Sequence, residues 1–213
     1  MSFQEIKNRG VVAVIRDAKV DTIVPIAKAL QQGGVTALEI TMETPKALSI
    51  IEILADQMDD DVLVGAGTVL DPETARAAIM SGAKFVFSPT VNIETIKMTK
   101  RYGVISVPGA FTPTEVLTAY EHGADLIKVF PANTGGPGHL KAIRGPLPHI
   151  PLMPTGGIDL NNVGSFIKAG AIAVGVGSTL VDCKKPFNDK YLQDLIATAK
   201  AFVSEVEKAR SKS

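Results

Sequence analysis

The chain has 213 residues, of which 46% are hydrophobic and 21% charged, and its 22 basic side chains balance 22 acidic ones. That is enough for one domain with a sizeable core, residues 1–213 as a single unit. Zero formal net charge and dispersed basic residues argue against a nucleic-acid or acidic-membrane surface, and no apolar run approaches the roughly 18 residues of a membrane helix.

The opening stretch, "MSFQEIKNRG", lacks the apolar centre of a secretion signal, and the residues before Val11 are expected to form an extra helix. From Val11 onward, short apolar runs alternate with amphipathic segments. The runs "VVAVI", "ALEI", "VLVGA", "KFVFS", "VISVP", "LIKVF", "PLMPT" and "AVGVG" read as eight strands. Their centres recur at roughly 19 to 26 residues, the length of a strand–loop–helix unit. Helices with an apolar face fall between them, for instance over residues 21–32, 45–58, 72–81 and 161–168, and a long last one covers 190–210. The tail, "KARSKS", reads as frayed.

Five joints share one punctuation: a helix end, a glycine, a short apolar strand. They are "LQQGGVTALEI", "IMSGAKFVFS", "KRYGVISVP", "YEHGADLIKVF" and "IKAGAIAVGVG". Glycine there suits the left-handed residue that closes a helix. The strands are apolar throughout rather than alternating, as expected of parallel strands covered on both faces. Eight such units predict an α/β fold, a closed (β/α)8 TIM barrel with an extra N-terminal helix. An open doubly wound sheet is the runner-up, but no GxGxxG follows the first strand.

Active sites of this barrel lie at the C-terminal ends of the strands. Those ends carry Arg16, Glu39 and Thr41, Gly67 and Thr68, Ser88 and Pro89, Pro108 and Gly109, Lys128, Thr155–Gly157, and Gly177–Ser178. Lys128 is the oddity, an ammonium set inside "LIKVF", and lysines are rarely buried without a partner. Glu39 sits on the second strand, opposite the sixth, and even-numbered strands point into a common interior layer. One reading is a buried structural ion pair. The other is an amine nucleophile, made neutral by burial, with a carboxylate to move its protons. The position at a barrel mouth favours the second.

Two glycine loops, "PTGGI" and "VGVGS", end the seventh and eighth strands, where this fold often holds a phosphate through backbone N–H groups. Gly156, Gly157 and Gly177 would otherwise simply make tight turns, with Ser178 adding a hydroxyl donor in the phosphate reading. Thr68, after "GAG", offers its hydroxyl either to a substrate carboxylate or carbonyl or to the following helix as a cap, where Asp71 fits better. Prolines 89, 108, 131 and 154 end strands and shape the rim, and Pro89 is counted among the substrate-lining positions. The lone Cys183 has no cysteine partner, which fits a reducing cytoplasm, and reads as a bystander. His122, His139 and His149 lack metal-ligand spacing, so no metal site is expected.

Together, "LEITMET", "VGAGTV", "FVFSPT", "IKVFPA" and "PTGGI" resemble, in order and spacing, the class I aldolases of 2-keto-3-deoxy-6-phosphogluconate (KDPG) and 4-hydroxy-2-oxoglutarate (KHG). The resemblance implies that Lys128 forms an imine and that Glu39 shuttles protons through water. It implies that Thr68 meets the pyruvate carboxylate, that Thr155 lines the pocket with its carbonyl and hydroxyl, and that Gly156, Gly157, Gly177 and Ser178 hold a phosphate. It also implies a metal-free, cofactor-free homotrimer acting on a keto-acid phosphosugar. One position departs from the pattern: where the family commonly reads "LEVTLRT", with an arginine that helps bind the substrate carboxylate, this chain has Glu43. Arg16 would then substitute, sit beside the phosphate, or form a surface ion pair with Asp17 or another acid. The rivals are another phosphate-binding barrel enzyme, of isomerase or thiamine-phosphate synthase type, and a catalytically impaired ligand-binding barrel.

Overall fold

In the computed structural model, which describes residues 3–211, strands and helices alternate along the chain. The order is α1 (Gln4–Arg9), β1 (Val11–Ile15), α2 (Ile23–Gln32), β2 (Ala37–Thr41), α3 (Ala47–Gln57), β3 (Leu63–Gly67), α4 (Pro72–Met80), β4 (Phe85–Phe87) and α5 (Ile93–Arg101). It continues with β5 (Ile105–Val107), β6 (Gly109–Ala110), α6 (Pro113–Glu121), β7 (Ile127–Val129), α7 (Ala132–Arg144), β8 (Leu152–Pro154), α8 (Val163–Lys168), β9 (Val174–Val176) and α9 (Asp189–Arg210). Each of the eight predicted strands is present within a residue or two of its expected bounds. Every strand residue is buried.

All pairings are parallel, in two curled sheets ordered β5-β4-β3-β2-β1-β9 and β6-β7-β8. Only Pro108 separates β5 from β6, and a proline has no N–H to continue a ladder. Its carbonyl instead accepts from Lys128 N–H at 2.9 Å. At the other side an isolated parallel bridge, Thr155 to Gly175, links the end of β8 to β9.

The glycines at the five joints behave as their position demands. Gly34, Gly82, Gly103, Gly123 and Gly170 all have positive φ, between 70° and 104°. Helix starts are equally legible: Asp71 caps α4 by accepting from Thr74 N–H at 2.6 Å, and Thr112 with Glu115 makes a capping box on α6. The exception is α7, two helical pieces meeting at Gly136 (φ 65°), with Pro137 just inside the second. At the C-terminus the fraying expectation fails over its first part. α9 runs through Arg210, because Val206 and Ala209 are buried and Arg210 is bonded; residues 212 and 213 lie outside the described range.

The apolar residues divide into two clusters. One lies between the sheets and their helices. The other fills the inner face with Ile6 of α1, Val12, Ala37, Leu63, Phe85, Phe87, Ile105, Val107, Leu126, Met153 and Ala173. Successive strand residues face opposite ways, so the members of this inner cluster fix which residues point inward. Two residues beyond Ala37 is Glu39, and two beyond Leu126 is Lys128. The fold thus sets both ionisable groups one layer above an apolar plug, toward the C-terminal ends of the strands.

Beneath that plug, α9 closes on the N-terminal segment. The Arg210 guanidinium donates to the Lys7 carbonyl and, at 2.7 Å, to the Ile172 carbonyl. A Cβ on Gly10 would come within 3.1 Å of the same guanidinium. Arg210→Ala should therefore cost about 1–3 kcal/mol, a fall in Tm of roughly 2–10 °C by calorimetry. Catalytic constants of the folded protein should hold, since this seam lies at the opposite end from the strand mouths.

Candidate active site

Lys128 is 2% exposed and Glu39 0%. The Lys128 amine lies 4.9 Å from the centre of the Phe130 ring and 5.9 Å from that of Phe87. Neither Glu39 carboxyl oxygen has a hydrogen-bond partner. Two aromatic rings solvate an ammonium poorly compared with water. Burial accordingly pushes the Lys128 amine down from the ordinary lysine range, and the attraction of Glu39 opposes that only in part. Burial likewise pushes the Glu39 carboxyl up, with Lys128 and then Arg16 pulling the other way. The result is a buried amine whose pKa is lowered, within electrostatic reach of a carboxyl group with both oxygens unengaged.

Glycines on the inner face make room for these side chains. A Cβ on Gly67 would overlap the Glu39 carboxylate, and a Cβ on Gly65 would overlap the Phe85 ring. A Cβ on Gly175 would strike the Thr155 hydroxyl. That hydroxyl is buried without a hydrogen-bond partner, whereas the Thr155 carbonyl accepts from Ala132 N–H at 2.9 Å. Of the two Thr155 groups expected to line the pocket, the hydroxyl is the unengaged one.

Next to the amine, with the Phe130 ring as shared wall, is a pocket of about 220 Å³. It brings together Arg16, Thr155, Gly156, Gly157, Gly177 and Ser178, drawn from the ends of β1, β8 and β9. The Thr179 hydroxyl donates to the Ile158 carbonyl at 2.6 Å and ties the two glycine loops to each other. Gly156 and Gly157 have positive φ, 98° and 69°, so the turn itself requires glycine there. Gly177 is different: a Cβ on it would meet nothing within 4 Å and its φ is not positive. Its bare backbone is demanded neither by its φ nor by packing.

The description "Aldolase: KDPG and KHG aldolase" belongs to the family model that matches residues 3–195. The chain belongs to the KDPG and KHG aldolase family. A 2-dehydro-3-deoxy-phosphogluconate aldolase of Pseudomonas aeruginosa is 42% identical over 74% of this chain and 70% of its own length. A solved structure described as native KDPGal superposes with a TM-score of 0.89 at 31% identity, covering 94% of this chain and 96% of that one. A Legionella pneumophila KDPG aldolase, solved with pyruvate captured as a covalent carbinolamine, superposes at 0.79 with 28% identity and 96% of each chain covered.

In this family member the remaining expected residues fall out as follows. Thr68, directly after β3, holds a left-handed backbone (φ 58°), a strained conformation for a threonine. Because Asp71 caps α4, the capping alternative for Thr68 falls. Pro89 backs onto Gly109, where a Cβ would come within 2.5 Å of the Pro89 carbonyl, so the missing side chain of Gly109 lets the two strand ends close. Arg16 forms an ion pair with Glu43 across the mouths of β1 and β2. Asp17, the acid nearest in sequence, instead pairs with Lys184 at 3.3 Å.

The three histidines have structural partners. His122 and His139 bond backbone carbonyls at 2.7 Å, and His149 meets the edge of the Tyr120 ring. Among the described residues no group of three His, Cys, Asp or Glu side chains is placed to hold a metal ion, and no helix is long and apolar enough to cross a membrane. Burial pushes the Cys183 thiol up to about 11, with Asp182 and Asp17 adding to the shift, so it stays a poor nucleophile. Larger hollows, of about 360, 460 and 530 Å³, open elsewhere, and none has Lys128 or Glu39 in its lining.

Sequence reasoning missed Phe130, Phe87 and Thr179. Phe130 was findable, because it lies two residues beyond Lys128 on the same face of its strand. Phe87 approaches from another strand and left no such mark.

The electrostatics give a test with a sign. Glu39 raises the Lys128 pKa and Arg16 lowers it, against a dominant downward push from burial. Reductive methylation with formaldehyde and cyanoborohydride, followed across pH by peptide mass spectrometry, reads the neutral amine. Labelling of Lys128 should level off at a pH clearly below that of the surface lysines. The plateau should move lower in Glu39→Gln and higher in Arg16→Gln. A Lys128 that tracks the surface lysines would refute the assignment of a depressed amine.

Proposed function

We infer that this protein is a Schiff-base (class I) aldolase that cleaves KDPG to pyruvate and glyceraldehyde 3-phosphate, and KHG to pyruvate and glyoxylate. The observation that carries this reading is the buried Lys128 amine in electrostatic reach of the buried Glu39 carboxyl, neither of whose oxygens has a hydrogen-bond partner. An isomerase or thiamine-phosphate synthase type of barrel would use the glycine loops but has no need of that amine. The relative solved with pyruvate as a covalent carbinolamine supports the same chemistry.

In the mechanism, the neutral Lys128 amine attacks the C2 carbonyl of the keto acid. Proton transfer to the departing oxygen releases water and leaves a protonated imine. Glu39, as carboxylate, takes the proton from the C4 hydroxyl, directly or through a water, and the C3–C4 bond breaks. Its electron pair enters the imine, leaving an enamine on Lys128 and a free aldehyde. Return of the proton to C3 and hydrolysis release pyruvate and restore the amine. Thr68 meets the substrate carboxylate, the Thr155 hydroxyl a polar group on the chain of the keto acid, and Pro89 shapes the rim beside it. Gly156, Gly157, Gly177 and Ser178 hold the phosphate, with Arg16 on the same wall. No metal or organic cofactor enters any step.

The same reading extends to architecture and assembly. The two sheets are taken as one closed (β/α)8 barrel, with β5 and β6 as a single strand broken at Pro108 and the Thr155–Gly175 bridge as the closing seam. α1 is the extra N-terminal helix under the barrel, and residues 1–213 make one domain. The assembly is a homotrimer, as the family resemblance implies. A single cysteine suits a cytoplasmic enzyme.

Pyruvate with borohydride should add one adduct, at Lys128 by peptide mapping, and Lys128→Ala should lose both adduct and cleavage. An adduct on another lysine, or full activity in the variant, would sink the assignment. For the phosphate, Gly177→Asp is the sharper probe, since the position has room for a side chain without backbone strain. It should raise KM for the phosphorylated substrate at least tenfold more than for its non-phosphorylated analogue. Equal losses on both would mean that the loops only shape the fold.

A further inference from the structure

The charge balance at the phosphate wall has a feature that the aldolase reading leaves unused. Arg16 lines the pocket beside Gly177 and Ser178, and the hydrogen bond it makes among the described residues is to Glu43. Both side chains are about half exposed, 51% for Arg16 and 43% for Glu43, so the pair is held weakly and can exchange. The nearby acids are otherwise occupied: Asp17 pairs with Lys184, and the Asp182 carboxylate accepts from Lys184 N–H at 3.1 Å. Glu43 is therefore the group that Arg16 must leave, or share its fork with, when an anion enters the pocket.

We propose that Glu43 is a specificity-determining residue that competes with the anionic end of the substrate for Arg16, so that this pocket discriminates less between phosphorylated and neutral-ended 2-keto-3-deoxy acids. The proposal rests on the aldolase reading of the pocket. A phosphate gains the Arg16 contact only by displacing Glu43 from it or by sharing the guanidinium with it. A ligand ending in a hydroxymethyl group needs no contact with Arg16 and meets neither penalty. The penalty thus falls on one class of substrate alone, and the chain accepts sugar acids of both kinds.

The test compares wild type with Glu43→Gln, Arg16→Gln and the double variant. The ratio of kcat/KM for KDPG to that for its non-phosphorylated analogue should widen about three- to tenfold in Glu43→Gln, through KM rather than kcat. It should narrow in Arg16→Gln, and in that background Glu43→Gln should have no further effect. Calorimetric titration with inorganic phosphate should show tighter binding in Glu43→Gln by a similar factor. If phosphate binds more weakly in Glu43→Gln, the carboxylate aims Arg16 at the ligand rather than withholding it, and the proposal is overturned. A gain that persists without Arg16 overturns it too. The phosphate titration does not depend on turnover, so it judges Glu43 even if pyruvate and borohydride leave Lys128 unlabelled and the aldolase reading itself falls.

Discussion

Water is kept from one amine and one carboxyl group, and most of the architecture serves that exclusion. Taking a charge out of water costs several kcal/mol even after relaxation, so a strand holding Lys128 survives only if the rest of the fold over-determines it. Here Ile127, Lys128 and Val129 are fixed by backbone bonds to neighbours on both sides, including Lys128 N–H to the Pro108 carbonyl. Below the pair lie Phe85, Phe87, Leu126 and Met153, which cannot offer a hydrogen bond. Neutralising the amine is the cheapest response to such surroundings. A neutral amine is also what attack on a carbonyl needs.

The glycines show how the room is made. Parallel strands covered on both faces ordinarily fill with branched side chains, and β1 does so with Val11, Val12, Val14 and Ile15. β3 instead reads Leu63, Val64, Gly65, Ala66, Gly67, giving up two inward side chains in five residues. One yields space to the Phe85 ring and the other to the Glu39 carboxylate. The residue that follows, Thr68, is strained at φ 58°. Gly65 thus serves packing, whereas Gly67 gives room to a buried carboxylate.

Much of this was legible in the sequence because the signals were local. The five glycine joints each specify a left-handed residue within a few positions of a helix end, and all five have it. Lys128 was conspicuous because its four neighbours in "LIKVF" are apolar, and Gly156 with Gly157 because they are adjacent. What escaped detection depends on contacts between distant segments or on local signals that conflict. Glu43 lies 27 residues from Arg16, whereas Asp17 is its immediate neighbour, and sequence alone cannot choose between them. α7 contains Gly135, Gly136 and Pro137, three residues that each disfavour a helix, and packing of Leu140 and Ile143 holds it together past them. β6 is two residues long, with no periodicity to read. The roles of Gly156 and Gly177 look alike in sequence and separate only when φ and the surrounding space are known.

Arg16 joins the two halves of the site electrostatically as well as spatially. Its charge lowers the pKa of both Lys128 and Glu39, so whatever occupies its guanidinium is felt at the reacting pair. An anion seated against Arg16 would cancel part of that field and let both values rise. For Glu39 that means a more basic carboxylate. For Lys128 it means a slightly smaller neutral fraction, set against the larger downward push that burial already supplies. Glu43 sets the starting point for both, because it already offsets part of the Arg16 charge before any ligand arrives.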